Sequence, residues 1–206
     1  MAWRPLLDFL FPPQCANCNA LGSGFCDVCA RCGETIRVTL PLLRVTAFGA
    51  YEGSLRAAIL ALKDGRRDVA EALGLLVAGL IAPGSLLLPV PTTVKRRRVR
   101  GLDGVALVAR HAAAVAGAAV VHGLVQRTGD AQRGRSRSER LVARGRFACD
   151  AGVAGRRVTL FDDVCTTGST LRDCAGAVRE AGGAVEDAVV VAATKSGQSW
   201  SKTIAS

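Results

Sequence analysis

The residues with the clearest chemical pattern lie in the segment from Val158 to Leu171. An aliphatic stretch is followed by two adjacent carboxylates, Asp162 and Asp163, and then by a loop of small and hydroxyl-bearing residues that opens a predicted helix. In an open parallel sheet, ligands bind beyond the carboxyl ends of the strands. The segment therefore predicts a ligand-binding site at the end of a strand, with both aspartates in it.

The loop after the aspartates predicts an anion-binding site. A helix N-terminus presents N–H groups and a positive dipole to an anion, and a glycine lets the backbone approach closely. Carboxylates suit sugar hydroxyls rather than phosphate, so a phosphate attached to a ribose fits both halves of the segment. A plain helix cap is the alternative, although capping requires only one side chain. The predicted phosphate-binding residues are Thr166, Thr167, Gly168, Ser169 and Thr170.

A second chemical pattern is the cysteine cluster near the N-terminus. Five of the eight cysteines lie between positions 15 and 32, and in a cytosolic chain such clustering favours a metal over disulfides. Reduced thiols or a redox pair are the alternative. Four thiolates from two C-x-x-C turns match the tetrahedral geometry of structural zinc. The favoured ligands are Cys15, Cys18, Cys26 and Cys29, and the rival set is Cys15, Cys18, Cys29 and Cys32.

The basic residues are unevenly placed. The 27 Lys and Arg against 17 Asp and Glu give a net charge of +10. The run from Lys95 to Arg100 has five basic residues in six, and the stretch 127–146 contains seven arginines. Such runs are often only solvated loops, but this concentration indicates a phosphate-rich partner, either a small phosphorylated ligand or nucleic acid.

The rest of the chain must position these residues, and its periodicity predicts an α/β fold. Because strands alternate with helices and are aliphatic on both sides, we expect a parallel sheet covered on both faces. Ser54 is predicted to cap the first helix. The predicted strands cover 45–51, 86–90, 119–125, 157–161 and 188–193. The later helices are predicted over 68–81, 103–116 and 168–181. The tail from 196 is polar and is predicted to be frayed.

Several function classes are excluded by absent patterns. The longest strongly apolar run covers 72–82 and is too short to span a membrane, so we expect no membrane span. The N-terminal residues lack a secretory signal, which predicts a cytoplasmic protein. The sequence contains neither a Walker loop nor a G-x-G-x-x-G motif.

Taken together, these motifs resemble a known family. The segment around Asp162 is similar to the phosphoribosyl-pyrophosphate (PRPP) binding motif of the phosphoribosyltransferase fold. The whole chain resembles the ComF family, which is associated with DNA uptake in competent bacteria. The resemblance rests on LLDFLFPPQC before the cysteines, AYEGSLRAAILALK, LLLPVP followed by the basic run and Arg100-Gly101, and the Q-x-G-x-S-R-S-E-R stretch from Gln132 to Arg140.

The resemblance implies roles for individual residues. Asp162 and Asp163 would hold the ribose hydroxyls and act as the catalytic acids, and the loop from Thr166 to Thr170 would bind the 5′-phosphate. The turn at Pro91 and Thr92, continuing to Thr93, would face the pyrophosphate together with Mg²⁺. Substrate-binding arginines would come from the two basic stretches, with the second closing over the ligand as a flexible loop. These arginines are Arg100 and Arg137.

These observations predict an organisation and a function. We expect a zinc ribbon over 1–40, a phosphoribosyltransferase-like domain over 41–195, and a polar tail over 196–206. The expected function is a ComF-type protein of the phosphoribosyltransferase fold that binds PRPP or a related ribose phosphate and is linked to DNA uptake and the competence machinery, with phosphoribosyl transfer as its candidate activity. The alternative is a nucleic-acid-binding or PRPP-sensing module without transferase activity.

Overall fold

The computed structural model describes residues 12–31, 33–92, 103–127, 146–194 and 200–202. Several residues named in the sequence analysis lie outside these ranges: Cys32, Thr93, Arg100 with the rest of its basic run, and Arg137 with the stretch from Gln132 to Arg140.

A mostly parallel sheet forms the centre of the molecule. Its strands occur along the chain as β1 (Ile36–Leu40), β2 (Leu43–Ala50), β3 (Leu86–Pro89), β4 (Ala119–Val120), β7 (Arg157–Cys165), β8 (Ala184–Ala193) and β9 (Trp200–Lys202). Across the sheet their order is β4-β3-β7-β8-β2-β1-β9. Neighbours are parallel from β4 to β2, whereas β1 pairs antiparallel with β2 and β9. A separate antiparallel pair is formed by β5 (Leu124–Gln126) and β6 (Phe147–Cys149).

Helices cover both faces of this sheet. They are α1 (Asp27–Ala30), α2 (Gly53–Lys63), α3 (Arg67–Val77), α4 (Gly104–Ala116) and α5 (Ser169–Glu180), with 3-10 turns at Ala78–Leu80 and Ala151–Val153. The longest helix in the described part of the chain has 13 residues. Within those residues, none is long and apolar enough to cross a membrane.

Two hydrophobic clusters lie on opposite faces of the sheet. One contains α5 with β5 and β6, and the other contains α2, α3 and α4. Strand β8 shows why the sheet is covered twice: Val190 packs in the first cluster, whereas Val189 and Val191 pack in the second. Alternate residues of a strand point to opposite faces, so an uninterrupted aliphatic strand needs apolar partners on both. The expected α/β architecture, consistent with a phosphoribosyltransferase fold, is thereby confirmed.

The element boundaries differ from the predictions at several places. Strand β7 runs to Cys165 rather than ending at 161, because it pairs with β8 up to Cys165 and Ala193. Ser54 was expected to cap the first of the predicted helices, but the helix begins at Gly53 with Glu52 as its N-cap, and the Ser54 hydroxyl donates to the backbone oxygen of Cys29. The strand predicted over 119–125 is divided into β4 and β5. Strands β1, β6 and β9 were not predicted, and β9 lies within the tail expected to be frayed.

Candidate functional site

A pocket of about 540 Å³ opens at the carboxyl end of β7. Strand β7 ends there, and the loop to α5 begins there, as expected for a ligand site in an open parallel sheet. Six of the residues selected from the sequence line the pocket: Pro91, Thr92, Asp162, Asp163, Thr166 and Thr170. The other loop residues selected with them, Thr167, Gly168 and Ser169, are not among its lining residues.

The two aspartates have different surroundings. Neighbouring Leu160 packs in the α5 cluster and Phe161 in the cluster of α2 to α4, so the alternation of the strand turns Asp162 towards α5 and Asp163 towards α2. Lys63 at the end of α2 is in agreement with this, because its Nζ lies 3.1 Å from Oδ2 of Asp163. The acids therefore lie on opposite faces of one strand, and both reach the pocket.

Asp162 is the more buried acid, with 9% of its surface exposed. Its Oδ1 accepts a hydrogen bond from the backbone N–H of Asp163 at 2.8 Å. Burial, and next the negative charge of Asp163, raise the pKa of Asp162 well above its usual value. The pocket thus contains one buried acid with a raised pKa and one acid that is paired with a lysine.

The loop between β7 and α5 has a shape that depends on glycine. Gly168 is the N-cap of α5 and has φ +71°, in the left-handed region. A Cβ at this position would lie 2.4 Å from Cδ1 of Leu40, so a larger residue would meet both strain and overlap. Behind it, the hydroxyls of Thr167 and Ser169 lie 3.2 Å apart, and the Ser169 N–H donates to Thr167 Oγ1 at 3.4 Å.

Both basic stretches begin and end beside the pocket. Thr92 Oγ1 donates to Asp103 Oδ1 at 3.3 Å, which joins the two ends of the segment 93–102. Asp103 also caps α4 by accepting from Ala106 N–H at 3.2 Å. The backbone N–H of Arg127 donates to the carbonyl of Arg146 at 2.9 Å, which joins the ends of 128–145. Each stretch is therefore flanked by a residue that lines the pocket, Thr92 for the first and Arg146 for the second.

Several residues that line the pocket had no predicted role. Lys63 and Tyr51 belong to the stretch AYEGSLRAAILALK, which supports the family resemblance without assigning them a role, and Arg146 was counted only as part of an arginine-rich stretch. They come from three separate parts of the chain, which the fold brings together. The polar and aromatic lining residues without a predicted role are Tyr51, Lys63, Gln126, Arg146 and Phe147.

The cysteine cluster forms a second candidate site. The sulfurs of Cys15, Cys18, Cys26 and Cys29 all lie within 4.8 Å of one another, with 3.6 Å between those of Cys18 and Cys26. Four sulfurs at about 2.3 Å from a tetrahedral zinc are about 3.8 Å apart, so the group fits that ion. The cluster can hold a metal ion such as zinc. Cys32, which belongs to the rival ligand set, is outside the described residues.

Two thiols of the cluster, Cys15 and Cys29, differ in acidity. Burial alone would raise the pKa of Cys15, but backbone N–H groups of Cys18, Cys26 and Asn17 lower it to about 6. At Cys29 the Asn17 side chain donates to Sγ at 3.3 Å and favours the thiolate, whereas burial and the other cysteine side chains raise the pKa to about 12. Cys15 therefore releases its proton at a lower pH than Cys29 does.

Comparisons with known proteins give a partial likeness. No family model matches the chain. It is 56% identical over 39 residues to an orotate phosphoribosyltransferase from Methanopyrus kandleri, which is 19% of this chain and 21% of that relative. The chain thus matches about a fifth of the relative's length. With the parallel sheet, this similarity supports a phosphoribosyltransferase-like family and nothing finer.

Proposed function

We propose that the protein binds PRPP, or a related ribose phosphate, in the pocket at the end of β7. The observation that carries this proposal is that Asp162 and Asp163 line one pocket together with Thr166 and Thr170, which lie at the N-terminal end of α5. Carboxylates accept hydrogen bonds from the two ribose hydroxyls, and the loop offers N–H and hydroxyl groups to the 5′-phosphate. The short similarity to an orotate phosphoribosyltransferase agrees with this ligand class.

The pyrophosphate is proposed to lie beside Pro91 and Thr92, on the neighbouring strand end. Mg²⁺ would accompany it, because a hard dication binds phosphate oxygens and keeps part of its water shell. The pocket offers the carboxylate oxygens of Asp162 and Asp163 as further hard donors.

Transfer of the ribosyl group is the activity proposed for this site. The bond from C1 of the ribose to the pyrophosphate oxygen would break, with the electron pair leaving on pyrophosphate, and an acceptor nucleophile would bond to C1 and release its proton to solvent. Positive charge develops on the ribose ring during this step. A carboxylate at Asp163 can stabilise that charge electrostatically in a site removed from water.

Calorimetric titration of PRPP with Mg²⁺ tests the binding proposal. The double variant Asp162→Asn, Asp163→Asn should lose measurable binding, while circular dichroism shows an intact fold. The matched control is Glu186→Gln, Asp187→Asn, which removes two carboxylates from the far end of β8. Equal affinity of the parent and the pocket variant would show that the acids do not bind the ligand.

The ComF assignment and its link to DNA uptake are proposed from the sequence motifs, together with a cytoplasmic location. Two observations also favour the alternative, a nucleic-acid-binding module without transferase activity: the net charge of +10 and the attachment of both basic stretches at one pocket. If the run from Lys95 to Arg100 contacts phosphates, its charge reversal should lower both the DNA affinity and the slope of affinity against salt. Unchanged binding at every salt concentration would exclude that role.

Zinc is the metal proposed for the cysteine cluster, in a structural role. Four protein ligands complete its coordination and leave no position for a substrate. The cluster also belongs to the core, because Cys15 and Cys29 pack in the same hydrophobic cluster as α2 and α3. The carbonyl of Cys29 accepts a hydrogen bond from Ser54 at 2.9 Å, which ties the ribbon to the start of α2.

A further inference from the structure

Arg146 connects the edge of the pocket to the first turn of α5. It directly precedes β6, where the buried Phe147 fixes the backbone, and its side chain lines the pocket. Its Nε donates to Oδ2 of Asp173 at 2.7 Å, and its Nη2 lies 3.5 Å from Oγ of Ser169. The guanidinium of Arg146, just before β6, is thus held against the first turn of α5, the helix that follows β7.

We propose that Arg146 binds the ligand's 5′-phosphate at the N-terminus of α5 and thereby selects phosphorylated over unphosphorylated ribose. This inference rests on the proposed function, because it assigns a residue to the same ligand. Asp173 is its positioning residue, since it holds Nε and sets the direction of the guanidinium.

The chemistry of the guanidinium supports this role. It carries more N–H donors than its contacts with Asp173 and Ser169 use, and its planar fork matches two phosphate oxygens. Its positive charge adds to that of the helix N-terminus, where an anion is already favoured. The side chain is 54% exposed, so a phosphate can reach it without a rearrangement of the core.

The position of Arg146 also distinguishes the two phosphate groups of PRPP. It contacts residues of α5, which follows β7, whereas the pyrophosphate is proposed to lie at Pro91 and Thr92, which follow β3. Ribose 5-phosphate and pyrophosphate, each with Mg²⁺, therefore probe the two positions separately.

The test is calorimetric titration of these two ligands, and of PRPP, into the full chain. Arg146→Ala should weaken ribose 5-phosphate binding by about 10- to 100-fold, as expected for losing hydrogen bonds to a charged group, and should leave pyrophosphate binding unchanged. Arg146→Lys keeps the charge without the fork and should lose less. Asp173→Asn should also lose less, because the guanidinium remains but is no longer oriented.

The matched control is Arg157→Ala. It removes another exposed arginine and its ion pair, with Glu186 at 3.1 Å, from the opposite end of β7, about 20 Å from Asp163. Melting temperatures of all variants establish that each is folded. Equal weakening of both ligands by Arg146→Ala, or no weakening, would overturn the assignment. If the parent protein binds PRPP and Arg146→Ala binds as the control does, only the role assigned to Arg146 is wrong. If the parent protein binds none of the three ligands, the proposed function itself is wrong.

Discussion

The cysteine cluster and the acidic pocket are built in opposite ways. The four cysteines lie within 15 consecutive residues, and their sulfurs come within 4.8 Å of one another. The pocket draws its polar lining from positions as far apart as Tyr51 and Thr170, on different elements. The first site is encoded by local spacing and the second by the order of strands in the sheet.

The two regions also differ in whether they leave space for a substrate. Four thiolates complete a tetrahedron, so the cluster can stabilise the fold but has no position for a substrate. The pocket has a volume of about 540 Å³ that a ligand can occupy. It contains two acids in different surroundings: Asp162 is buried, and Asp163 is paired with Lys63. Stability is therefore expected to depend most on the first region and ligand binding on the second.

The largest effect should follow from removing two thiols of the cluster. The double variant Cys15→Ser, Cys18→Ser leaves two of four ligands, and structural zinc contributes its binding free energy, of the order of 10 kcal/mol, to folding. We expect about one zinc per chain in the parent and none in the variant. Because Cys15 and Phe25 pack with α2 and α3, the melting temperature should also fall. Elemental analysis and a thermal melt measure both.

Cys149→Ser is the control for this comparison. Cys149 is half-buried on β6 and lies outside the cluster, so its replacement should leave the zinc content unchanged. Full metal retention by the double cysteine variant would show that the described quartet is not the metal site.

Gly168 tests whether the pocket loop depends on a distant strand. Gly168→Ala should cost about 1–2 kcal/mol for the left-handed backbone and about 1–3 kcal/mol more for overlap with Leu40. Gly117→Ala is the matched control, because Gly117 has φ +66° and a Cβ added there would have nothing within 4 Å. Urea denaturation measures both. In a Leu40→Ala background the two glycine variants should become equal, and a persistent difference would mean that the loop is strained for another reason.

Local patterns explain what could be predicted from the sequence. The aliphatic residues of β8 and the segment from β7 to α5 carry their own periodicity, and the cysteines their own spacing. Asp162 and Asp163 were predicted to follow the strand, because ligands bind beyond the carboxyl ends of parallel strands. In the structure they lie within β7, where Asp162 pairs with Val190 and Cys165 with Ala193 of β8, so the neighbouring strand determines where β7 stops.

The remaining features depend on tertiary structure. Nothing in the sequence distinguishes Lys63 from a solvent-facing helix lysine until α2 is placed beside the end of β7. Arg146 is one of seven arginines in its stretch, and its pairing with Asp173, 27 residues further along the chain, is not indicated by the sequence. Strand β1 was missed because it continues the parallel sheet with an antiparallel partner, which the alternation of strands and helices does not indicate.

Asp162 should give stability an unusual dependence on pH. Its pKa is raised in the folded protein, first by burial and then by Asp163, although Lys63 partly opposes this. Above the ordinary value of 3.8, the folded state therefore binds more protons than the unfolded state, and stability falls as pH rises towards the raised pKa. Asp162→Asn should remove this decline, which is at most about 1.4 kcal/mol per pH unit.

Urea denaturation over a pH series measures this dependence. Asp163→Asn is the informative control, because it removes the neighbouring charge but leaves burial, the largest cause of the raised pKa of Asp162. The decline in stability should therefore become smaller in this variant but persist. Cys165 and Cys174 have pKa values that are themselves raised by burial and by Asp162, and they are present in every variant. A decline of unchanged slope in Asp162→Asn would assign the pH dependence to another group.

The smallest effect concerns the ion pair between Lys63 and Asp163. Its atoms are 3.1 Å apart and the side chains are 29% and 17% exposed, whereas Arg44 and Asp187 are 2.8 Å apart but 66% and 45% exposed. Exposed pairs contribute little because water screens the charges and ordering the side chains costs entropy. The double-mutant cycle of Lys63→Met and Asp163→Asn should therefore give a coupling energy of about 1 kcal/mol, and the cycle of Arg44→Met and Asp187→Asn one near zero. A larger coupling energy for the exposed pair of Arg44 and Asp187 would contradict this expectation. It would mean that the distance between the charged atoms, and not their enclosure by the pocket, determines the coupling energy.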